Sequence, residues 1–375
     1  MRYLFACGGT AGHINPAISV AAYIREHQPD AQILFAGNPD HMEARLVPKA
    51  GFDFTPVKIL GFQRRLTLHN IVNNVQAVFY LGTCGGRCRK IIEDFKPDIV
   101  IGTGGYVTGP VLRKAAQMGI KTVTQEQNAF PGVTTKLLSK YVDRVLLAVD
   151  AAKPYLAPQA KTVLTGNPVR EDVLFADRLK ARKQLGVGER ICLLSFGGSL
   201  GAQRVNESIA DVVAWHKGEQ NIHHIHATGS YGTELFPRLL KEKGVRFEGN
   251  PHLDIREYID DMPQCLAAAD LVICRAGAIT LSELEAAGRA SILIPSPNVA
   301  ENHQYRNAMV LQNANAAVVM EEKDLTGPKL VELVKQLTAD PMRLKTLGKN
   351  ASSIAVVDSN KRIYDEIMKL LEKEA

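Results

Sequence analysis

Short apolar runs rich in β-forming residues alternate with helix-length amphipathic segments along almost the whole chain. Seven such runs precede residue 166: Arg2–Cys7, Gln32–Ala36, Phe54–Ile59, Ile99–Ile101, Lys121–Gln125, Arg144–Ala148 and Lys161–Leu164. Six more follow the loop Gly166-Asn167-Pro168: Arg190–Phe196, His223–Ala227, Val245–Glu248, Leu271–Cys274, Ser291–Ile294 and Ala317–Met320. Strands that alternate with helices predict right-handed βαβ units and doubly wound parallel sheets. We therefore expect an α/β protein whose ligands bind at the carboxyl ends of the strands.

The chain has 375 residues, which is more than one core can serve, since single cores stop growing at about 250–300 residues. We expect two Rossmann-like domains, residues 1–166 and 167–354, because the strand pattern restarts at the intervening loop. A final amphipathic helix is expected within about residues 355–375. Its apolar face comprises Ile363, Ile367, Leu370 and Leu371.

The composition is that of a soluble globular enzyme, with 46% hydrophobic and 22% charged residues. The first apolar run is too short for a signal peptide, and no apolar stretch approaches the roughly 18 residues that span a bilayer. We therefore expect a cytoplasmic protein. The six cysteines are scattered through apolar runs, which favours buried free thiols over disulfides. Cys84 and Cys88 lack the second ligand pair of a zinc site.

The net charge of +6 indicates an anionic partner: a nucleic acid, an anionic membrane or a phosphorylated substrate. Aromatic residues make up only 6% of the chain, and no basic stripe is interleaved with them. This pattern argues against a nucleic-acid-binding protein.

A glycine-rich turn follows the first predicted strand, at Gly8-Gly9-Thr10-Ala11-Gly12-His13, and Asn15 and Pro16 stand near the expected start of the next helix. Free N–H groups at such a turn, together with the positive end of the helix dipole, favour an anion. The turn has Thr10 where a dinucleotide fingerprint has its second glycine, and it lacks the Gly-Lys-Ser/Thr of a P-loop. An NAD enzyme or an NTPase is therefore disfavoured.

Two further glycine turns follow predicted strands, at Gly102–Pro110 and Gly197–Ala202. Three such turns indicate a site for two phosphorylated ligands. A fourth segment, Arg275–Glu283, follows another strand. Its Thr280 and Glu283 have the spacing of a helix capping box, but a carboxylate at this position is equally suited to a ribose diol.

Together these segments resemble, in order and spacing, the motif set of the bacterial MurG family. The set comprises Gly8–His13, Gly104–Pro110, Glu126–Asn128, Gly166–Arg170, Gly197–Ala202, Gly277–Glu283 and Glu301–Gln304, and it covers nearly the whole chain. Members transfer N-acetylglucosamine from UDP-GlcNAc to an undecaprenyl-linked muramyl-pentapeptide in peptidoglycan synthesis. The resemblance implies a GT-B fold with a central cleft, the donor on the C-terminal domain, the acceptor on the N-terminal domain, and the final helix packed back on the latter.

The resemblance also implies roles for individual residues. Glu283 resembles the ribose ligand and Ser199 a diphosphate ligand. Further donor contacts are implied for Asn128, Arg170, Ile259, Ala278, Ile279, Thr280, His303 and Gln304. The leaving-group turn is implied to contain Gly197, Gly198, Gly201 and Ala202. The acceptor pyrophosphate is implied to lie at Gly8, Gly9, Thr10, Gly12, Gly104, Gly105, Tyr106 and Gly109. Two positions depart from the family pattern, Ala11 where glycine is frequent and His303 where some members have glutamine.

For the transfer from an α-linked donor to a β-linked product that the resemblance implies, one direct displacement assisted by a base on the acceptor hydroxyl is enough, and no covalent intermediate is required. His13 is the candidate base, since imidazole titrates near neutral pH; the alternative is that it positions phosphate. The N–H groups of the Gly197 turn would stabilise the departing UDP. No Asp-x-Asp pair is present, so we expect no protein-bound metal or other cofactor, although free Mg²⁺ can assist.

A lipid-linked acceptor implies a peripheral protein on the cytoplasmic face of the cell membrane. The candidate contact is the apolar segment Leu60–Leu81 with the cations Arg64, Arg65, Arg87, Arg89 and Lys90, a combination that suits an anionic leaflet. The alternative for this segment is a core helix with a solvated edge. The alternative enzyme is a sugar-nucleotide epimerase of the same architecture, which would turn over without an acceptor.

Overall fold

The computed structural model describes residues 1–59, 84–218 and 221–372. The chain divides into two compact units, one of residues 1–168 with 358–375 and the other of residues 169–357. Each unit contains one sheet in which every described strand pair is parallel. The predicted α/β class with two Rossmann-like sheets is confirmed.

The first unit is built around a seven-stranded sheet. Its strands are β1 (Arg2–Cys7), β2 (Gln32–Gly37), β3 (Asp53–Pro56), β4 (Ile99–Gly104), β5 (Lys121–Glu126), β6 (Arg144–Leu147) and β7 (Thr162–Leu164). They lie in the order β3-β2-β1-β4-β5-β6-β7. The helices between them are α1 (Ala11–His27), α2 (Glu43–Lys49), α3 (84–95), α4 (Thr108–Gln117) and α5 (Val133–Leu138), with a 3₁₀ turn at Asp150–Tyr155.

The second unit repeats this plan with six strands. They are β8 (Ile191–Phe196), β9 (Ile222–Ala227), β10 (Leu253–Arg256), β11 (Leu271–Cys274), β12 (Ala290–Leu293) and β13 (Val318–Val319), in the order β10-β9-β8-β11-β12-β13. The helices are α6 (Glu171–Leu174), α7 (Arg178–Gln184), α8 (Gln203–His216), α9 (Leu235–Glu242), α10 (Met262–Ala268), α11 (Ala278–Ala287), α12 (His303–Asn313), α13 (Gly327–Thr338) and α14 (Pro341–Ile354), with 3₁₀ turns at Ser230–Gly232 and Ala300–Asn302.

The strand order reverses at one point in each sheet, between β1 and β4 in the first and between β8 and β11 in the second. Connections leave such a switch point on opposite sides of the sheet, which opens a crevice at the carboxyl ends of the strands. The predicted turns at Gly8 and Gly197 follow β1 and β8, the one at Gly102 starts within the last residues of β4, and the Arg275–Glu283 segment follows β11. All four therefore lie at switch points.

Burial on both faces explains the unbroken apolar runs of the central strands. Side chains alternate along β1, so that Tyr3 and Phe5 enter one hydrophobic cluster and Leu4 enters the cluster on the other face. Such a strand has no face that polar residues can occupy without cost. The apolar run that predicted a strand at Arg2–Cys7 thus belongs to a central strand of the sheet.

The C-terminal helix α15 (Ser359–Glu372) contributes to the core of the first unit. Its buried residues Ile363, Ile367 and Leu370 belong to the same cluster as Tyr3 and Phe5. These side chains are spaced on one face of the helix, as amphipathic packing requires. The first unit thus contains both ends of the described chain.

One predicted strand, Val245–Glu248, is wrong. The Val245 N–H donates to the Leu240 carbonyl at 2.9 Å in the turn that ends α9. The neighbouring strand of the sheet is β10, in which Leu253 pairs with His224 of β9. Val245–Glu248 and β10 both alternate apolar and polar residues, so the two-residue period of a strand does not show which of them joins the sheet. Distance along the chain decides, because the chain leaving α9 needs several residues to return to the sheet.

Candidate active site

The turn after β1 leads directly into α1. Thr10 is the N-cap and the helix starts at Ala11, so that Gly12 and His13 lie in its first turn. Pro16 lies inside the helix rather than near its start, which corrects the expected boundary. Because proline has no N–H, it cannot donate to the carbonyl one turn earlier. The glycine turn and the start of the helix are thus one continuous structure.

Glu43, near the start of α2, places a carboxylate against this turn and is only 1% exposed. Its Oε2 accepts a hydrogen bond from the Gly9 N–H at 3.1 Å, and its Oε1 accepts one from the Asn38 N–H at 3.0 Å. A side chain at Gly8 would overlap the carboxylate. The prediction of free N–H groups is therefore wrong for Gly9, whose N–H is bonded to an anion of the chain itself.

The turn after β4 packs against the turn after β1. A Cβ atom at Gly105 would overlap the Gly8 carbonyl oxygen, and one at Gly104 would lie 2.5 Å from His13 Nδ1. Gly104 and Gly105 also have positive φ angles of 110° and 91°, which side chains other than glycine rarely adopt. The structure therefore brings the two predicted acceptor turns and His13 together.

Helix α4 begins at this second turn, and Thr108 holds the two segments to one another. The Thr108 Oγ1 lies 2.8 Å from the Ala6 carbonyl oxygen and 2.7 Å from the Gly104 carbonyl oxygen. Tyr106 is 60% exposed just before the helix, and Gly109 is the second helical residue. Of the predicted acceptor residues, Tyr106 thus offers an aromatic side chain and a hydroxyl to a ligand.

His13 is held through its main chain and its ring. The Thr103 hydroxyl donates to the His13 carbonyl at 2.7 Å, and the His13 Nδ1 lies 3.1 Å from Gln127 Oε1. The residue is half-buried. Sequence reasoning identified neither Thr103 nor Gln127 as a site residue, although both lie in segments that it named.

Asn128 follows β5 and is held by the buried carboxylate of Glu126. One oxygen, Glu126 Oε1, accepts hydrogen bonds from the Asn128 main-chain N–H and from its side-chain Nδ2, both at 3.0 Å. The other oxygen accepts from the Gly132 N–H at 3.1 Å. Asn128 lies in the first unit, whereas the other predicted donor residues lie in the second.

The second unit contains a cleft of about 620 Å³ at its switch point. Several predicted donor residues line it: Gly197, Gly198, Gly201, Ala202, Thr280 and Gln304. The remaining lining residues are Phe196, Gln203, Arg204, Arg275, Gly277, Ser296, Asn298 and Glu322. Sequence reasoning gave none of this second group a role, although Arg275 and Gly277 lie within a segment that it named.

The Gly197 turn ends where α8 begins, so the positive end of that helix dipole lies at the cleft. The Gly201 N–H donates to the Gly198 carbonyl at 2.9 Å and closes the turn. A Cβ at Gly201, whose φ is 83°, would overlap the Thr228 carbonyl oxygen. Gly201 is therefore needed for backbone packing, and its N–H is not one that a ligand receives. Ser199 is exposed in the same turn.

Two arginines border this cleft. The Arg275 guanidinium forms an ion pair with Glu322 and donates to the Ile294 carbonyl at 3.1 Å. Arg204 donates to the Leu325 carbonyl at 3.0 Å. Both side chains are thus held in place by neighbouring oxygens. Glu322 offsets the charge of Arg275, so the cleft lining contains two arginines and one glutamate, and the start of α8 adds to the preference for an anion.

Helix α11 starts at Ala278 after the N-cap Gly277, which makes no side-chain capping bond. Thr280 therefore lies within the first turn, and the capping-box interpretation of Thr280 and Glu283 is wrong. Glu283 Oε1 instead accepts a hydrogen bond from Arg170 Nε at 3.1 Å. Burial raises the pKa of the Glu283 carboxyl, and the Arg170 cation opposes that shift.

The other predicted donor residues differ in accessibility. Gln304 Oε1 accepts a hydrogen bond from the Ser296 N–H at 2.9 Å, which orients its amide at the cleft. His303 Nδ1 lies 2.8 Å from the Ala300 carbonyl oxygen, and since a carbonyl only accepts, this nitrogen carries the proton. Ile259 is buried in the core. Ala278 and Ile279, the first two residues of α11, are partly exposed.

Comparison with known proteins identifies the family. The models of the glycosyltransferase family 28 N-terminal and C-terminal domains match residues 3–147 and 192–363. The UDP-N-acetylglucosamine–N-acetylmuramyl-(pentapeptide) pyrophosphoryl-undecaprenol N-acetylglucosamine transferase of Acetivibrio thermocellus is 45% identical over 100% of both chains. The chain belongs to the MurG family. A transferase of the same name from a Thermoanaerobacter species is 41% identical over 97% of this chain and 98% of its own.

MurG membership makes this chain a glycosyltransferase with a GT-B fold. The crystal structure of Acinetobacter baumannii MurG matches it with a TM-score of 0.77 at 27% identity, over 98% of this chain and 99% of that one. The UDP-GlcNAc 2-epimerase of Neisseria meningitidis matches with a TM-score of 0.66 at only 14% identity, over 98% of this chain and 100% of that one. That likeness shows a shared fold alone. The full-length identity to transferases therefore decides between the two enzyme classes.

Within residues 1–59, 84–218 and 221–372, no three His, Cys, Asp or Glu side chains converge so that they could hold a metal ion. In the same ranges no helix has both the length and the apolarity needed to cross a membrane. The predicted membrane segment Leu60–Leu81 lies outside the described residues.

Proposed function

We propose that this chain transfers N-acetylglucosamine from UDP-GlcNAc to the C4 hydroxyl of undecaprenyl-pyrophosphoryl-N-acetylmuramyl-pentapeptide, with inversion of the anomeric carbon. The observation that carries the proposal is the 45% identity, over full length, to a transferase whose name states this donor group and this acceptor. The product is a lipid-linked disaccharide for peptidoglycan synthesis.

The donor occupies the cleft of the second unit in this proposal. A volume of about 620 Å³ lies within the range typical of ligand sites. The start of α8 and the cations at the cleft would stabilise the charge that UDP gains as its bond to the sugar breaks. Glu283 would accept hydrogen bonds from the ribose hydroxyls, and Arg170 would oppose the rise in pKa that burial causes at its carboxyl.

The acceptor pyrophosphate is assigned to the paired turns of the first unit. Because Glu43 already occupies the Gly9 N–H, the pyrophosphate would bind the remaining donors of these turns. The exposed Tyr106 and the side chain of Thr10 are the candidates that reach solvent.

His13 would act as the general base that takes the proton of the attacking hydroxyl. We expect His13→Ala to lower kcat roughly 100-fold while the KM for UDP-GlcNAc changes little. If His13 instead positions phosphate, the KM for the lipid acceptor rises and kcat is nearly retained. Steady-state kinetics with each substrate varied in turn separates these two roles.

The reaction would require no protein-bound metal, since leaving-group charge is met by main-chain N–H groups and arginines. We expect turnover to continue after dialysis against EDTA, with at most a modest increase on adding free Mg²⁺. Abolition of turnover by EDTA, restored by one equivalent of metal, would contradict this part of the proposal.

We place the chain peripherally on the cytoplasmic face of an anionic membrane, with α5 as the contact among the described residues. Val133, Leu137 and Tyr141 are each more than half exposed here. The Arg113 guanidinium lies 5.6 Å from the centre of the Tyr141 ring, and Lys140 is exposed beside it. Exposed apolar side chains flanked by cations suit an anionic leaflet.

The predicted cations of α3 are weaker candidates. Arg89 pairs with Glu93 at 2.7 Å, and Lys90 pairs with Asp94 at 2.9 Å, so acidic partners offset both charges. Vesicle sedimentation with anionic lipid tests the placement. Leu137→Glu should reduce binding more than Arg89→Glu, and equal binding by wild type and Leu137→Glu would refute the α5 surface.

One experiment tests the central proposal. The protein is incubated with labelled UDP-GlcNAc, with and without the lipid-linked muramyl-pentapeptide, and disaccharide formation is compared with release of UDP. Label should reach lipid only when the acceptor is present. Conversion of the label to an epimer without acceptor would instead identify the epimerase, and label that stays in UDP-GlcNAc would contradict both enzymes.

A further inference from the structure

The His13 ring contacts the side-chain amide of Gln127. Gln127 is buried directly after β5, with its Oε1 3.1 Å from His13 Nδ1. An amide oxygen only accepts hydrogen bonds and an amide nitrogen only donates them, whereas an imidazole nitrogen does either. The orientation of this amide therefore decides which nitrogen of His13 carries the proton.

A main-chain carbonyl orients the Gln127 amide. The Thr103 carbonyl oxygen lies 2.7 Å from Gln127 Nε2. Because a carbonyl cannot donate, the NH₂ end of Gln127 must face Thr103, and its oxygen must face His13. The reverse orientation would place two acceptors together at Thr103.

The main-chain carbonyl of Gln127 leads to the same orientation of the Gln127 side chain, through the side-chain amides of Asn167 and Gln125. Asn167 Nδ2 donates to the Gln127 main-chain carbonyl at 3.2 Å, which leaves Asn167 Oδ1 to accept from Gln125 Nε2 at 2.9 Å. The Gln125 oxygen then accepts from Gln127 Nε2. All three amides are buried, so reversing any of them would leave buried polar groups without hydrogen-bond partners, which is unfavourable. The chain of amides thus has a single direction, and it ends at His13.

We propose that Gln127 is a positioning residue that holds His13 as the Nδ1-protonated tautomer and so leaves Nε2 as its basic nitrogen. Gln127 Oε1 accepts, so Nδ1 must donate. Gly104 packs against the same edge of the ring, since a Cβ there would lie 2.5 Å from Nδ1. Main chain and amide therefore enclose Nδ1.

The tautomer of His13 follows from the hydrogen bonds alone. Only the source of the proton that Nε2 takes, the acceptor hydroxyl, rests on the proposed function. In that reaction the acceptor oxygen forms a bond to the anomeric carbon while its proton passes to Nε2. The bond from that carbon to UDP breaks, and its electron pair leaves with the diphosphate. A neutral ring with a lone pair on Nε2 suits this step, whereas the same lone pair would repel a phosphate oxygen.

The tautomer is measured by NMR on protein labelled with ¹⁵N-histidine. Two-bond proton–nitrogen correlations at pH 8 distinguish the tautomers of a neutral ring, and the signal of His13 is the one lost in His13→Ala. We expect Nδ1–H in the wild type and a mixture of tautomers in Gln127→Leu. Thr103→Val is the matched control, because it removes the hydroxyl that binds the His13 carbonyl and keeps the carbonyl that orients Gln127. It should retain Nδ1–H.

Kinetics give the second measurement. Gln127→Leu should lower kcat roughly 10-fold, with the KM for UDP-GlcNAc within about 2-fold of wild type, because the base is misoriented while the donor site is intact. An Nε2–H tautomer in the wild type, or a pure Nδ1–H tautomer in Gln127→Leu, would overturn the inference. If Gln127→Leu does not fold, the spectra of the wild type and Thr103→Val test the inference: Nδ1–H in both supports it, and Nε2–H in the wild type overturns it.

The inference and the proposed function fail separately. Near-normal turnover of His13→Ala, with Nδ1–H in the wild type, would remove the general base from the proposed function and leave the tautomer assignment supported. Full loss of turnover in His13→Ala, with Nε2–H in the wild type, would retain the base and overturn the role of Gln127.

Discussion

The glycine turns after β1 and β8 begin alike in sequence, with Gly8-Gly9-Thr10 and Gly197-Gly198-Ser199, but they meet different neighbours. The first receives the buried carboxylate of Glu43 on its Gly9 N–H. The second opens on a cleft lined by Arg204, Arg275 and Glu322, where Glu322 pairs with Arg275 instead of with the turn. Equal glycine patterns therefore give two different environments, one in which a carboxylate binds an N–H of the turn and one in which the turn opens on a cleft lined by two arginines and one glutamate.

The two units also differ in their buried histidines. In the second unit His216, His223, His224 and His226 are buried, whereas the described histidines of the first unit are half-buried or exposed. Burial lowers the pKa of His223 and of His216 to about 4. The contrast between the turns is thus accompanied by a contrast in the expected response to acid.

The largest expected effect comes from the glycines that hold the turns together. Gly105→Ala should destabilise the protein by about 3 kcal/mol or more, because its Cβ would overlap the Gly8 carbonyl in a backbone with positive φ. The matched control is Gly9→Ala, which has a positive φ but open space and should cost about 1 kcal/mol. Urea denaturation measures both. Equal losses would show that the two turns are not in contact.

A second prediction concerns the anion site of the second unit. Glu283→Ala should weaken UDP binding about 100-fold, or about 2.7 kcal/mol, since the ribose contact is lost. Asp172→Ala is the control, because Asp172 lies 3.9 Å from the same Arg170 but belongs to α6. Calorimetry with UDP measures both variants. Unchanged affinity in Glu283→Ala would limit this residue to its contact with Arg170.

Acid should destabilise the second unit first. A histidine with a lowered pKa when folded stabilises the protein fully above its unfolded pKa of about 6.5, and this stability is lost as the pH falls toward 4. His223→Val should therefore lower the pH at which half of the protein is unfolded. At pH 5 the variant avoids a loss of about 2 kcal/mol in the free energy of unfolding that protonation of His223 causes. The single tryptophan, Trp215, lies in this unit and reports its unfolding by fluorescence.

The control for this experiment is His41→Val, at an exposed position of the first unit. It should leave the acid midpoint of the Trp215 signal unchanged. An identical shift in both variants would show that the buried position of His223 is not the cause.

The smallest expected effect tests the built-in anion. Glu43→Gln removes the negative charge at the first turn and one of the two N–H hydrogen bonds that the carboxylate accepts. It should increase the affinity for inorganic pyrophosphate about 3-fold, since a repelling charge is lost. Glu93→Gln, on the exposed face of α3, is the control. Competition by pyrophosphate against the lipid acceptor measures the change. Weaker binding in Glu43→Gln would mean that the carboxylate prepares the turn for its ligand.

Much of the fold was predictable because its signals are local. The apolar runs 3–7 of β1 and 191–194 of β8 reflect burial on both sheet faces, and the glycines mark turns that need positive φ. The prediction for Val245–Glu248 was wrong because a four-residue alternation also occurs in β10. Which alternating stretch pairs with β9 depends on the path of the chain after α9.

The site was predictable only in part. Gly197, Thr280 and Gln304 line one cleft, and their segments were recognisable as motifs. Glu43 and Glu322 carried no local signal, because a glutamate near the start of a helix, like Glu43, or in a charged run, like Glu322 within 321–324, is common on protein surfaces. Their importance depends on which distant backbone groups or cations they reach.

The sequence by itself determined that this chain forms two parallel α/β units, with glycine turns after their central strands and a membership in the MurG family. Those properties depend on side-chain period, backbone freedom and the order of motifs. Only the tertiary structure decided the charge of each turn and the direction of the amide chain at His13. The Glu43 contact joins residues 34 positions apart, and the Gln127 contact joins residues 114 apart. Such pairings depend on how the elements pack, and no local pattern records them.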